Sequence, residues 1–435
     1  MISFLIGLVS SNRPVILLPG IYGSNLYSTY DNFAKHWYCP KTTDHSIFWV
    51  NLKYAIPPTY NCLFELLAAH YDAATDKVGN PEGLSVEIED FGGDGGISYV
   101  DAGVFGYHFI ESFGPLIDYF KGKGYTIKKN LFGVPYDWRL ALDPLRETFF
   151  PQLKQLIENA YSSNGNQNVV VLGYSCGGLM LHNFFTTYVD QAWKDKYIHK
   201  VIMLAPAFAG SSETLDVVWN QYFPIIPILK NDVLRENIPK IPVISGLMPN
   251  HVVFADDTII IEPDGTEIKA PQVQDWFIKQ GKYSGEGEQM VRKNMKWLQK
   301  KPESLGVPLY MIYNSGNEAT YQMKFKGSWD EVEYTKQPGD GTVPSKGPEF
   351  ACNNWMDNKG NPIICHDVKN PGDDWKHAPL STNEYIHQLI YNVANDQPVN
   401  EWSKLEGNWM FTSENVETVN GTVLRAGQVT KRRIL

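Results

Sequence analysis

The sequence predicts an α/β protein built on a mostly parallel sheet with helices on both faces. Short apolar runs rich in β-branched residues occur at 15–18, 169–172, 201–204 and 307–313, ending at Pro19, Gly173, Ala205-Pro206 and Asn314. Continuous apolar runs of that length read as strands buried on both faces. Stretches with helical spacing of apolar residues lie between them, as expected of crossover helices in a parallel sheet. Length is the third observation: at about 150 residues per domain, 435 residues point to two or three domains, or to one large core with insertions.

The elements follow in order. Residues 1–11 (MISFLIGLVSS) form a short apolar run followed by small residues, and a cleaved secretory signal is expected there, with a buried first strand as the alternative. The first strand, 15–18, ends at Pro19-Gly20, and 12–35 are assigned to the core. A helix is expected over 110–123 on the spacing of Ile110, Phe113, Ile117 and Phe120. Another is expected from Asp143-Pro144 through Tyr161, carried by Phe149, Leu153, Leu156 and Ile157, with Gly165 just beyond its end. A last helix, 381–394, has Glu384 three residues after Ser381, the capping-box pattern.

Two regions break the alternation. Residues 36–65 are dense in Trp, Tyr, Phe and Pro and hold two cysteines, whereas 66–206 return to the core pattern. Residues 207–302 separate two core-like strands by far more chain than a crossover needs, which suits an inserted cap. The core then resumes over 303–395, and 396–435 form a C-terminal extension with a glycosylation acceptor at Asn420 and a short basic tail.

Composition excludes several classes. With 43% hydrophobic and 20% charged residues the chain is globular rather than disordered. A net charge of −10 argues against a nucleic-acid partner held through phosphates. No apolar stretch reaches the roughly 18 residues of a membrane span. Aromatic residues reach 13%, an excess that suits apolar pockets and membrane interfaces. Five cysteines cannot all pair within one chain.

The strongest single motif is Gly173-Tyr174-Ser175-Cys176-Gly177, which follows a strand and opens a helix. A nucleophilic serine belongs on such a tight strand-to-helix turn, where flanking glycines allow close backbone approach and the helix N-terminus favours a developing oxyanion. The turn 18–23 after the first strand supplies the second donor, so the backbone N–H groups of Ile21 and Cys176 are the candidate oxyanion hole. Triad order for this arrangement is serine, acid, histidine. Asp340, between Gly339 and Gly341, is the candidate acid, with Asp330, Asp373 and Asp374 as competitors. His377 is the candidate base, on the loop before the last helix, while His366 falls within a strand and His387 within that helix. Ser175 then attacks an ester carbonyl, His377 takes its proton, and Asp340 orients the imidazolium. Neither HExxH nor a comparable ligand cluster occurs, so no metal and no cofactor are expected.

These residues resemble the lecithin:cholesterol acyltransferase family, and most closely its lysosomal phospholipase A2 branch. The resemblance spans roughly residues 13–395. It rests on PVILLPGIYGSNL from Pro14, FWVNL from Phe48, PYDWR from Pro135, the serine motif, QAWKDKYI from Gln191, Asp340-Gly341-Thr342-Val343, and His377. It implies an α/β-hydrolase core, a small membrane-binding subdomain over 36–65 and a cap with a mobile lid. It also implies a disulfide between Cys39 and Cys62 closing that subdomain; Cys352 and Cys365 are the second expected pair, leaving Cys176 free. Within the first loop Trp49, Ile56, Pro57, Pro58, Tyr60 and Leu63 are candidates to lie against a bilayer, packing of some of them on the core being the alternative. In the cap, Trp219, Tyr222, Phe223, Ile225 and Ile226 form an apolar run suited to a lid or to the cap's own core. Asp137 and Arg139 read as a buried structural pair beneath the site. Departures from the family lie at Ile21-Tyr22, at Tyr174 and Cys176, and across 210–300, so acceptor and acyl-chain preference do not carry over.

The expected activity is phospholipid deacylation through an acyl-serine, with transfer to water or to a lipid alcohol such as a sterol. Its expected partners are a phospholipid substrate and a membrane or lipoprotein surface, and its expected compartment is extracellular or endolysosomal. A neutral-lipid esterase with the same triad and a non-catalytic lipid-binding protein are the alternatives.

Overall fold

The computed structural model describes residues 12–101, 110–222 and 232–399, and the backbone of two C-terminal hairpins, Glu401–Leu405 with Asn408–Thr412 and Glu417–Val419 with Thr422–Leu424. The expected signal segment 1–11, Asn420, and the lid candidates Phe223, Ile225 and Ile226 lie outside the described residues.

Six parallel strands form the central sheet: β1 (Val15–Leu18), β2 (Leu131–Gly133), β3 (Val169–Tyr174), β4 (Ile198–Leu204), β5 (Leu309–Tyr313) and β6 (Ile364–Asp367). Their order across the sheet is β2-β1-β3-β4-β5-β6. Every residue of β1 is fully buried, as are Val169 to Leu172 of β3, which is why these strands read as unbroken apolar runs. Helices cover both faces, so the observed architecture is the mostly parallel α/β core that the sequence predicts.

Helix boundaries differ from expectation for local reasons. The helix expected over 110–123 spans Gly114–Gly122, because Pro115 sets its first turn and residues 110–113 hydrogen-bond back to 97–100 instead. The helix expected over 143–161 is two, Leu142–Thr148 and Phe150–Ser163. Pro151 breaks it, having no N–H for an intrahelical bond and a ring that crowds the preceding turn. The last helix starts at Glu384 and its cap is Asn383, whose Oδ1 accepts the Tyr385 and Ile386 N–H groups. Ser381 instead closes the short helix His377–Leu380, its hydroxyl donating to the Ala378 carbonyl.

The two insertions take definite form. Within 36–65, the strand Thr42–Trp49 joins Leu26–Asp31 and Leu84–Glu87 in a three-stranded sheet, followed by the helix Tyr60–Leu67. The segment 207–302, the expected cap, shares a sheet with later chain. Strands Thr258–Ile261 and Glu267–Lys269 complete a four-stranded sheet with the hairpin Asn317–Phe325 and Val332–Gly339, which arises after β5. The chain therefore enters the cap twice, and the hairpin's return strand ends where Asp340 begins. Among the described residues no helix is long and apolar enough to cross a membrane.

Candidate active site

β3 runs into the helix Cys176–Thr187 through Ser175, whose φ is 53° and ψ −121°. A non-glycine residue rarely adopts this conformation, and here the packing around it leaves no alternative. A Cβ on Gly173 would lie 2.7 Å from Leu181 Cδ1, one on Gly177 2.6 Å from the Pro19 carbonyl oxygen, and one on Gly178 2.5 Å from Pro206 Cβ. The glycines of the motif thus let the turn sit between β1's loop and the segment after β4. Backbone bonds Ser175 N to Leu204 O and Ala207 N to Ser175 O pin it to β4.

The structure brings together the three residues that the sequence names. Ser175 Oγ lies 2.8 Å from His377 Nε2, and His377 Nδ1 lies 2.7 Å from Asp340 Oδ2. Because a carboxylate only accepts, Nδ1 carries the hydrogen and Nε2 is left to accept the serine proton. The other carboxylate oxygen, Oδ1, accepts the N–H groups of Thr342 and Val343 at 3.1 and 2.7 Å, and the His377 N–H donates to the Asp340 carbonyl at 2.7 Å. These bonds fix the acid's loop to the base's helix. Asp330 lies instead in the cap hairpin's turn, Asp373 pairs with Lys376 at the surface, and His366 and His387 hydrogen-bond Tyr385 and the Ser381 carbonyl.

Burial pushes the His377 pKa down, but Asp340's charge and hydrogen bond, helped by Glu213, outweigh it and leave the group above its ordinary value. Glu213 was not expected from sequence. It opens the cap helix Glu213–Asn220, and burial raises its own pKa despite the favourable charge of His377. Only its position after β4, in a chain excursion of unrecognisable sequence, placed it here, and no motif marks that.

Tyr174 also acquires a role. Its hydroxyl donates to the His377 carbonyl at 2.8 Å and its ring stacks on the imidazole at 5.2 Å, so this side chain buttresses the base. Cys176 is buried and free, and burial pushes its thiol up to about 12, which keeps it protonated and unreactive beside the nucleophile. Cys39–Cys62 and Cys352–Cys365 form the two disulfides.

The candidate oxyanion loop passes directly against the nucleophile: a Cβ on Gly20 would lie 2.8 Å from Ser175 Cβ. What holds this loop is the PYDWR segment. Tyr136 donates its hydroxyl to the Pro19 carbonyl at 3.2 Å and its N–H to Ser24 Oγ at 3.1 Å, and Trp138 Nε1 donates to the Ser24 carbonyl at 3.2 Å. Arg139, fully buried, meets Asp137 through two bonds at 2.8 and 2.6 Å, then reaches the Leu66 carbonyl and Asn80 Oδ1. The pair expected beneath the site is therefore a tie between the core and the helix Tyr60–Leu67.

Two bilayer candidates are corrected. Trp49 and Leu63 are fully buried. Trp49 packs on Tyr22 and Trp138 and donates Nε1 to the Tyr22 carbonyl at 2.9 Å, bracing the loop 20–23, whereas Leu63 is on the inner face of its helix. Ile56 is 64% exposed, Pro57 and Pro58 are exposed, and Tyr60 is half-buried. Trp37, which sequence reasoning passed over, is 86% exposed; its place two residues before Cys39 in the aromatic stretch was the available signal. Of the lid candidates, Trp219 packs on Trp276, Phe325 and Trp329 in the cap, and Tyr222 is half-buried.

The chain is similar to known proteins. Mouse phosphatidylcholine-sterol acyltransferase is 25% identical over 361 residues, covering 82% of this chain and 80% of its own. Human lysosomal phospholipase A and acyltransferase is 25% identical over 390 residues, covering 87% and 90%. Among solved structures, that of the Tle4-Tli4 complex aligns with a TM-score of 0.48 and 14% identity over 88% of this chain and 98% of the other. The profile described as lecithin:cholesterol acyltransferase matches residues 45–301, more than half the length. With its α/β-hydrolase core, the chain belongs to the lecithin:cholesterol acyltransferase family.

Proposed function

We propose that this protein is a serine phospholipase and O-acyltransferase working at a lipid surface. The observation that carries the reading is the Ser175–His377–Asp340 relay, with hydrogen bonds of 2.8 and 2.7 Å, in a member of a family whose curated relatives are named for phospholipid deacylation and acyl transfer. Ser175 Oγ attacks the acyl carbonyl of a glycerophospholipid as His377 Nε2 takes its proton. The Ile21 and Cys176 N–H groups are assigned to the developing oxyanion. Collapse releases the lysophospholipid, protonated by His377, and leaves acyl-Ser175. Water or a lipid alcohol then gives its proton to His377 and takes the acyl group.

Trp37, Ile56, Pro57 and Pro58 are the residues assigned to the bilayer, on the disulfide-closed 36–65 segment. Two disulfides fit an oxidising compartment, and an extracellular or endolysosomal site of action accords with them. The test is to incubate the protein with phosphatidylcholine vesicles, with and without sterol or a long-chain alcohol, and identify the acyl products. Fatty acid or acylated alcohol is expected from the wild type and neither from Ser175→Ala. Undiminished deacylation by folded Ser175→Ala protein would exclude the mechanism, and preferential release of fatty acid from triacylglycerol would favour a neutral-lipid esterase.

A further inference from the structure

A cavity of about 310 Å³ lies on the flank of the nucleophile helix Cys176–Thr187, between that helix and the turn that follows the cap helix Gly285–Leu298. None of the triad residues lines it. Its lining is apolar at Leu142, Leu179, Phe208 and Leu298 and polar along the nucleophile helix at His182, Asn183, Thr186 and Thr187, and a smaller void beside Met180 and Val243 shares the wall residue Leu179. Its volume is at the lower end of small-molecule sites.

Cations gather at one of the lining residues. Around the Trp297 ring, which lines the cavity, stand Lys300 Nζ at 4.1 Å and the Arg146 guanidinium and Lys296 Nζ, each at 5.4 Å; of these only Lys300 is itself part of the lining. Lys301 also lines the cavity. Asp143 neutralises Lys296 at 2.6 Å, but Arg146, Lys300 and Lys301 have no carboxylate partner among the described residues. Glu303 is the one acidic residue of the lining. In a chain of net charge −10 this leaves a local excess of positive charge beside a partly apolar chamber. Cations gathered on one indole repel each other, and an anion seated between them relieves that repulsion. Glu303 disfavours a doubly charged head more than a singly charged one.

The geometry points to a binding site for a singly charged amphiphile, a long-chain carboxylate with its head at Lys300 and Lys301 and its chain along Leu142, Leu179 and Phe208. Nothing in this inference requires turnover at Ser175, so it stands apart from the proposed acyl chemistry. The test titrates full-length Ser175→Ala protein with oleate below its micelle concentration by calorimetry. Two further variants in that background carry Lys300→Glu with Lys301→Glu, or Thr186→Trp, which fills the chamber from the nucleophile helix.

At least a tenfold loss of oleate affinity is expected in both variants, with oleyl alcohol, which lacks the charge, unaffected by the lysine changes. Should Thr186→Trp fail to fold, the exposed lysine pair decides alone. Unchanged oleate affinity after charge reversal, absence of saturable oleate binding, or an equal loss for oleyl alcohol would each overturn the proposal.

Discussion

Ser175, His377 and Asp340 come from three different excursions of the chain, and their hydrogen bonds dictate a pH response. His377 must be neutral to accept the serine proton, and its pKa is held above the ordinary value by Asp340 and, to a lesser degree, Glu213. Activity should therefore rise with pH through that raised value and fall below it. Removing the Asp340 charge by Asp340→Asn should lower kcat by about 10⁴-fold, as the wrong tautomer then faces the serine. Glu213→Gln should leave the plateau rate largely intact and move the acid limb to lower pH. A kcat/KM profile of a soluble ester substrate checks both. An acid limb unmoved by Glu213→Gln would mean that its charge does not reach the imidazole.

The nucleophile turn and the PYDWR segment act as units at the next scale. Gly177→Ala places a methyl against the Pro19 carbonyl and can be accommodated only by displacing the oxyanion loop or the helix start. Such a variant should lose labelling by a fluorophosphonate probe even where circular dichroism shows a native helix content. Arg139→Ala strips the partner from Asp137 and releases the Leu66 carbonyl and Asn80 together. Breaking a buried pair from one side costs about 3–5 kcal/mol, so urea denaturation should show a loss of that size. Arg139→Lys should not restore it, since an ammonium cannot reproduce the forked contacts.

Across the whole molecule, the proposed reading assigns the exposed apolar residues of the 36–65 segment to the lipid surface rather than to the chemistry. Replacing Trp37 and Ile56 together, as Trp37→Ala with Ile56→Asp, should weaken sedimentation with phosphatidylcholine vesicles several-fold while hydrolysis of a soluble short-chain ester continues at the wild-type rate. A parallel fall in both would place these residues in folding rather than at the lipid surface. The same double variant should leave the unfolding midpoint nearly unchanged, because both side chains are exposed and neither makes an ion pair.

Much of this protein was legible in its sequence because the deciding physics is local. β-branched apolar runs mark doubly buried strands, and the Gly-x-Ser-x-Gly turn admits only small residues at its tight contacts. Chain order, the glycine-flanked loop of Asp340 and the place of His377 before the last helix singled out three residues that the fold brings into hydrogen-bond contact. Tertiary structure alone decided what depends on which face a residue presents. Trp49 and Leu63 read as bilayer contacts by type, yet strand pairing and helix orientation turned them inward, and Trp37 was left outside. Pairing across long separations likewise drew the hairpin 317–339 into the cap sheet and set Glu213 beside the base. Composition and periodicity report burial of a kind, whereas position against a neighbour is fixed only when the chain closes on itself.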